Sequence, residues 1–257
     1  MYFTITTEVQ MVLAICLFYL YDAALALQPE QGLLRAGRGQ WRVRLASEGF
    51  ELRRNWLLWP PLWLPHQPLY KLRWNPAHIA LPGEQAAARS LAAHAASFKA
   101  FAPPLYLLAA ALFIALPAAL FVLHSEQALL MLLALIYLCT LWLSLLTLRH
   151  ARLGHSERGL ARSIALQIML CPPFALNAVR KLSLAHGTPA DLLQSAERLM
   201  AARPWSELAQ RVQAVMEQEM QEIAELPEYA QHHARMQTAL EALKASHRPA
   251  PADDQGL

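Results

Sequence analysis

Residues 101–148 read FAPPLYLLAAALFIALPAALFVL, HSEQ and ALLMLLALIYLCTLWLSLLTL, and this stretch decides the fold. Its two long blocks, residues 101–123 and 128–148, contain no Asp, Glu, Lys or Arg. A helix of about 20 apolar residues crosses the hydrocarbon core of a bilayer, and helix is the state that satisfies all backbone hydrogen-bonding groups there. The stretch therefore predicts a transmembrane helical hairpin over residues 101–148.

A third apolar segment, residues 9–27, reads VQMVLAICLFYLYDAALAL and is interrupted only by Gln10 and Asp22. Composition supports a membrane class, because 56% of the residues are hydrophobic and only 16% are charged, against about a quarter in soluble domains. We predict an N-terminal anchor over residues 1–27, and hence three spans. The alternative is a signal peptide cleaved at the ALA of residues 24–26. Such a peptide needs a positive n-region, and here Glu8 stands in its place.

Arginines predict the orientation of the spans. They follow both the first and the third apolar segment closely, as Arg35, Arg38, Arg42, Arg44 and then Arg149, Arg152, Arg158, Arg162. The HSEQ turn has neither Lys nor Arg. The positive-inside rule then puts the N-terminus outside, residues 28–100 inside, the turn at 124–127 outside and everything after 149 inside. A composition dominated by Ala, Leu and Arg suggests a bacterial source, so the predicted location is a bacterial inner (plasma) membrane.

Residues 28–100 are predicted to form a cytoplasmic β insertion followed by a connecting helix. Apolar and polar residues alternate near residues 40–45, 49–54 and 69–74, which is typical of half-buried strands. Three short strands are about the minimum for a stable antiparallel sheet. Residues 84–100 are rich in alanine and favour a helix that leads into the hairpin.

The segment NWLLWPPLWLPHQPLYKLRW, residues 55–74, holds four of the seven tryptophans. Prolines at 60, 61 and 65 interrupt any continuous helix, while Trp is favoured where headgroups meet the hydrocarbon and basic residues attract anionic headgroups. We predict a Trp- and Pro-rich loop lying on the inner leaflet. Its membrane-interface candidates are Trp56, Trp59, Trp63, Arg53, Arg54, Lys71 and Arg73. The alternative is that these tryptophans fill the core of the sheet or pack on the transmembrane helices.

Two regions follow the hairpin. Residues 149–186 are basic and juxtamembrane; within them residues 164–184 are apolar but interrupted by Gln167, Asn177 and the pair Pro172 and Pro173. We predict interfacial helices or a re-entrant bend there, with a fourth span as the alternative. Residues 187–247 have the pattern of an amphipathic helical tail, and residues 248–257 that of a disordered end. Residues 187–257 carry 6 Lys and Arg against 11 acids, whereas residues 1–186 carry 16 against 8.

Asp22 is the candidate intramembrane polar site. Ionisable residues inside a span are costly and often functional, although Asp22 lies close enough to the inner end to reach the interface or to pair with Arg35 or Arg38. The spacing of His150 and His155 does not put both rings on one face of a helix, which argues against a metal site. His94 is expected to face solvent or to pack.

Motifs for catalysis, cofactors or nucleic acid are missing from the sequence. It has no GxSxG, HExxH, P-loop or dinucleotide fingerprint, and its basic residues follow the membrane edges. We therefore predict no catalytic, cofactor or metal residues and no nucleic-acid partner. The leading hypothesis is a non-enzymatic accessory or scaffold subunit that contacts the lipid bilayer and holds a cytoplasmic protein through its acidic tail. The alternatives are a membrane-embedded lipid-handling protein or enzyme, and a homo-oligomeric channel or transporter subunit.

Overall fold

Helices make up most of the chain, and the strands are few and short. The computed structural model of the protein describes residues 6–28, 31–37, 40–45, 56–58, 65–74, 85–187, 190–223 and 229–246. These residues divide into two units. The first unit lies within Met1–Gln28, Ser47–Tyr70 and Leu91–Gly187, and the second within Pro29–Ala46, Lys71–Ser90 and Thr188–Leu257.

The first unit is built from long helices followed by short ones. Helix α1 covers Thr7–Asp22. One helix of 39 residues, Gln85–Leu123, follows, and it belongs to the first unit from Leu91 onward. Its consecutive parts are α2 (Gln85–Ser97), a 3₁₀ turn (Phe98–Phe101), α3 (Ala102–Ala110), a π-helical segment (Ala111–Ala115), α4 (Leu116–Ala118) and a second π-helical segment (Ala119–Leu123). The remaining helices are α5 (Glu126–Arg152), α6 (Arg158–Leu170), α7 (Pro172–Ala175) and α8 (Ala178–Leu184).

A tight turn joins the two long helices. The first ends where His124 adopts a left-handed conformation, with φ 48° and ψ 33°. Ser125 then caps α5, because its hydroxyl oxygen accepts a hydrogen bond from the amide of Ala128 at 3.4 Å. Helices α3 and α5 pack against each other. The predicted helical hairpin is confirmed as a pair of helices.

Helices α6 to α8 leave one end of this hairpin and return to it. The ring of His155, just before α6, lies 6.2 Å from the ring of His94, and the ring of His186, just after α8, lies 3.8 Å from it. Between these points α6 runs along α5, where the Ser144 hydroxyl donates to the carbonyl of Ala165 at 3.1 Å. The chain therefore doubles back near the diproline that begins α7.

Apolar side chains from all these helices form the core of the first unit. The largest fully buried members include Tyr19, Phe98, Phe101, Leu105, Leu108, Leu143 and Ile168. They belong to one continuous cluster that extends through α7 and α8. In the same unit, strand β1 (Ala24–Ala26) pairs antiparallel with a later strand, Trp56–Leu58.

The second unit contains a small antiparallel sheet. Strand β2 (Gln31–Ala36) pairs with β3 (Trp41–Leu45), and with Trp56–Leu58 as β4 and Leu69–Arg73 as β5, the order is β3-β2-β5. The strands predicted near 40–45 and 69–74 are confirmed, while residues 49–54 lie outside the described residues. Strand β2 escaped prediction because it is buried along nearly its whole length, so its sequence QGLLRA lacks alternation.

Three helices complete the second unit: α9 (Leu192–Leu199), α10 (Ala202–Ile223) and α11 (Ala230–Ser246). The Asp191 carboxylate caps α9 by accepting from the amides of Leu193 and Gln194 at 2.9 and 3.2 Å. Helix α9 packs on β2 and β3, and α10 packs on α11. The predicted tail is therefore helical.

Among the described residues, two helices are long and apolar enough to cross a membrane by length and composition, Gln85–Leu123 and Glu126–Arg152. The predicted first span, residues 9–27, is not confirmed. Helix α1 ends at Asp22 after 16 residues, which is about 24 Å of helix against roughly 30 Å of hydrocarbon core. Residues 24–26 form β1 instead.

Candidate functional site

The predicted interfacial loop lies mostly beyond the described part of the chain. Four of its candidates are outside the described residues: Arg53, Arg54, Trp59 and Trp63. Trp56 begins β4. Lys71 and Arg73 are exposed on β5, whereas Tyr70 and Leu72 are buried. The interfacial loop therefore stays a prediction.

Asp22 lies at the end of α1 and forms an ion pair with Lys181 of α8. The distance from Oδ1 of Asp22 to Nζ of Lys181 is 2.7 Å, and the two side chains are 13% and 24% exposed. Lys181 also donates to the side-chain oxygen of Gln167 at 3.1 Å and lies 4.9 Å from the ring centre of Phe174. The ion-pair partner of Asp22 is thus a residue that the sequence did not indicate.

Arg180, next to Lys181, binds the backbone at the end of α1. Its guanidinium donates to the carbonyls of Ala23, Asp22 and Ala24 at 2.6, 3.0 and 3.2 Å, and the residue is only 5% exposed. Carbonyls at a helix C-terminus lack donors within the helix and carry partial negative charge. Burial lowers the pKa of Arg180, while the charge of Asp22 raises it. The arrangement attaches the end of α1 to α8.

Four histidines of the first unit meet at one end of the hairpin, and we call them the histidine cluster: His94, His150, His155 and His186. The rings of His94 and His186 stack with their planes 13° apart. The ring of His150 lies 5.5 Å from that of His94 and 5.0 Å from that of His155. His94 and His150 are each 4% exposed.

Hydrogen bonds fix the orientation of His94. Its Nδ1 lies 3.0 Å from the hydroxyl of Tyr70, and its Nε2 lies 3.0 Å from the carbonyl oxygen of His155. Since a carbonyl only accepts, Nε2 carries the proton and Nδ1 accepts from Tyr70. The neutral form of His94 therefore satisfies both ring nitrogens.

The fold, rather than any local motif, brings these histidines together. His94 precedes one predicted span and His150 follows the other, and the ends of two antiparallel helices that lie away from their connecting turn are neighbours. His155 lies in the turn after α5, and His186 lies where α8 returns to that end. One feature of the sequence could have indicated that His94 and His150 are neighbours. Both lie just beyond the ends of the uncharged blocks that are farthest from the HSEQ turn.

The histidine cluster consists of imidazole bases in a partly buried environment. Burial lowers the pKa of His186, and the nearby His155 lowers it further. Burial also raises the pKa of the Tyr70 hydroxyl. Among the described residues, no group of three or more His, Cys, Asp or Glu could hold a metal ion.

The first unit also exposes a large apolar surface, which we call the apolar belt. Among the described residues, every exposed large hydrophobic side chain except Tyr229 belongs to this unit. The belt runs over α1, residues 111–123, α5 and α6; its most exposed members include Leu17, Tyr21, Ile114, Val122, Leu130, Met131, Leu138, Leu166 and Leu170.

No protein-family model, curated protein or solved structure matches the chain. The functional interpretation accordingly depends on the apolar belt, on the polar sites beside α8 and on the helices of the second unit.

Proposed function

We propose that the protein is a multi-pass protein of a bacterial inner membrane that serves as a non-enzymatic scaffold. The apolar belt carries the membrane part of this proposal. Side chains such as Leu17, Met131 and Leu170 are 65%, 76% and 74% exposed. Contiguous apolar patches of this extent are rare on soluble monomers and mark membrane or protein contacts. Hydrocarbon chains of a bilayer would cover the belt without exposing any of it to water.

The positions of charged residues support an orientation with the N-terminus outside. The turn at residues 124–127 contains neither Lys nor Arg. At the other end of the hairpin, Arg149, Arg152, Arg158 and Arg162 are exposed, as the positive-inside rule requires of a cytoplasmic end.

The path of α6 to α8 supports a re-entrant segment rather than a fourth span. Both ends of this segment lie at the histidine cluster, on the same side as Arg149. With residues 101–123 and 128–148 crossing the bilayer, the segment would enter from the cytoplasmic side and return to it. Gly187 and the second unit would then remain cytoplasmic.

Helices α10 and α11 are the proposed docking element for a partner. Their apolar side chains are largely used within the unit, including Trp205, Leu208, Val212, Met216, Met236, Leu240 and Leu243. Exposed carboxylates lie on these helices at Glu207, Glu222 and Glu241, beside exposed cations, and Glu207 pairs with Arg203 at 3.3 Å. Residues 187–257 as a whole carry 11 acids against 6 Lys and Arg, and this excess would complement a basic protein, since complementary charge chiefly sets specificity and association rate.

Labelling of single cysteines tests the membrane part. In a variant with Cys16, Cys139 and Cys171 replaced by alanine, Ser125→Cys should react with an impermeant maleimide in intact cells. Gly154→Cys, at the opposite end of α5, should react only after permeabilisation. Equal reactivity of the two sites in intact cells, or recovery of the protein without membranes, would contradict the proposal.

Capture from detergent extracts tests the scaffold part. The full chain should retain a stoichiometric cytoplasmic protein, and the triple change Glu207→Gln, Glu222→Gln and Glu241→Gln should weaken that retention. Glu126→Gln, in the turn region at the other end of the hairpin, is the matched control and should retain it fully. If the triple variant and the control capture the same partner equally, α10 and α11 are not the docking element.

A further inference from the structure

We propose that the histidine cluster is a pH-sensitive contact that holds four segments of the first unit together only while its imidazoles are neutral. These segments are the start of β5, helix α2, the end of α5 with its following turn, and the end of α8. This inference is independent of the proposed scaffold role, because it concerns contacts within the first unit alone.

The imidazole rings of the cluster lie close together. His94 and His186 stack at 3.8 Å between ring centres, and His150 and His155 follow at 5.5 and 6.2 Å from His94. Like charges at such separations disfavour each other strongly. The cluster therefore resists taking up more than one proton while its rings stay in contact.

The hydrogen bonds of His94 favour its neutral form. In the neutral form Tyr70 donates to Nδ1 at 3.0 Å. A proton on Nδ1 would force the Tyr70 oxygen to accept, and its own hydrogen would turn to the carbonyl of Leu91, which lies 3.5 Å away. That contact is at the long limit for a hydroxyl donor. The network thus admits a protonated form, but with weaker geometry than the neutral form has.

His150 has an apolar environment formed by aromatic rings. Its ring stacks on Phe98 at 4.5 Å and meets Phe101 edge-on at 5.9 Å. Its Nε2 is buried and has no hydrogen-bond partner among the described residues. A proton there would leave a charged N–H without an acceptor, which is unfavourable in an apolar place. His150 therefore stays neutral until its surroundings open.

The charged groups around the histidine cluster do not favour its protonation. Among the described residues, the titratable groups that face the cluster are Tyr70 from β5 and the four imidazoles themselves, and the charges that act on His94, His150 and His186 come from the other imidazoles. Arg149 and Arg152, beside His150 on α5, are exposed cations and would add repulsion. Acid should therefore separate the segments.

The direction of the pH effect follows from linkage. An unfolded chain has histidines of pKa about 6.5, whereas the folded cluster disfavours protons, so the unfolded state binds more of them. The stability contributed by the neutral cluster is present above about pH 6.5 and is lost as the pH falls through the lower folded values.

Thermal unfolding of the full chain in detergent micelles from pH 8 to pH 5 provides the test. Wild type should lose melting temperature steeply below about pH 6.5. His186→Phe keeps a ring stacked on His94 without a proton site, and its melting temperature should fall by less than that of wild type over the same range. His124→Phe, in the exposed turn at the other end of the hairpin, should follow wild type. Identical pH profiles for all three proteins would overturn the proposal.

A second measurement keeps the proposal open to refutation even if His186→Phe folds poorly. In the wild type with labelled imidazoles, the NMR resonances of His94 and His150 should remain those of neutral rings at pH 5.5. Independent titration of His94 and His150 near pH 6.5 would show that the rings do not exclude protons.

Discussion

Replacing Arg180 by methionine should detach the end of α1 from α8. The guanidinium makes three hydrogen bonds, at 2.6, 3.0 and 3.2 Å, to carbonyls at the end of α1 and just after it. Methionine keeps much of the apolar stem of the side chain but none of its donors. The carbonyls would then remain in a buried region without the partner that fixes them.

The size of the effect follows from two opposing terms. Hydrogen bonds to a charged group contribute about 1.5–3 kcal/mol each, while removing a buried cation relieves a desolvation cost of several kcal/mol. Leaving buried carbonyls without a donor costs about 1–3 kcal/mol each, so the net loss after that relief is on the order of a few kcal/mol. For a chain of this size each kcal/mol lowers the melting temperature by about 2–4 °C, so we expect a loss on the order of 10 °C.

Two further variants, Lys181→Met and Arg180→Lys, serve as comparisons for Arg180→Met. Lys181→Met removes a single ion pair, whose side chains are 13% and 24% exposed, and one hydrogen bond to Gln167, but no backbone contact to α1, so its loss should be smaller than that of Arg180→Met. Arg180→Lys retains the charge but has no planar fork for several carbonyls, so its loss should be intermediate. The assay is thermal unfolding in detergent, together with the rate at which a maleimide labels Cys16 of α1. Equal losses for Arg180→Met and Lys181→Met, with no faster labelling of Cys16, would refute the proposed attachment.

Two further substitutions probe close contacts, each with a matched control measured by unfolding in the same detergent. In the second unit, Gly32→Ala would bring a methyl group against Leu192 and within 3.1 Å of a carbonyl of β3, so it should cost about 1–3 kcal/mol; Gly159→Ala, whose new atom meets its nearest neighbour at 3.6 Å, should cost nothing. In the first unit, Ser183→Ala removes the acceptor 2.9 Å from the first amide of β5 and should cost about 1–3 kcal/mol. Ser163→Ala, at an exposed position, should stay within about 0.5 kcal/mol.

Local sequence determines the helical hairpin but not where α1 ends. Uncharged blocks of more than 20 residues form helices wherever they lie in lipid, so residues 101–148 were predictable. Residues 23–27 are as apolar as the segment before them, and nothing local stops the helix at Asp22. Tertiary contacts are found at the end of α1 instead. Arg180 binds the carbonyls there, and residues 24–26 pair with β4.

Polar sites were less predictable than helices because their members are far apart in the sequence. Asp22 was identifiable as an ionisable residue in an apolar segment, but its partner Lys181 lies beyond both long helices. The same holds for His94 and His186, which stack although each looks ordinary in its own segment. Pairing of this kind is a property of topology, so periodicity and spacing alone do not indicate it.

Helix α8 is where these polar contacts converge, and under the proposal that lipid covers the first unit this has a physical consequence. Its seven residues, Ala178–Leu184, include Arg180 and Lys181, which contact α1, and Ser183, which accepts from the start of β5; the chain then passes directly to His186. Apolar packing between helices gains little from the hydrophobic effect when the alternative is contact with lipid tails. Directional polar contacts must then distinguish one arrangement of the short helices from another. Arg180 and His186 should consequently be the positions where a small change in donors or charge alters the packing of the first unit most.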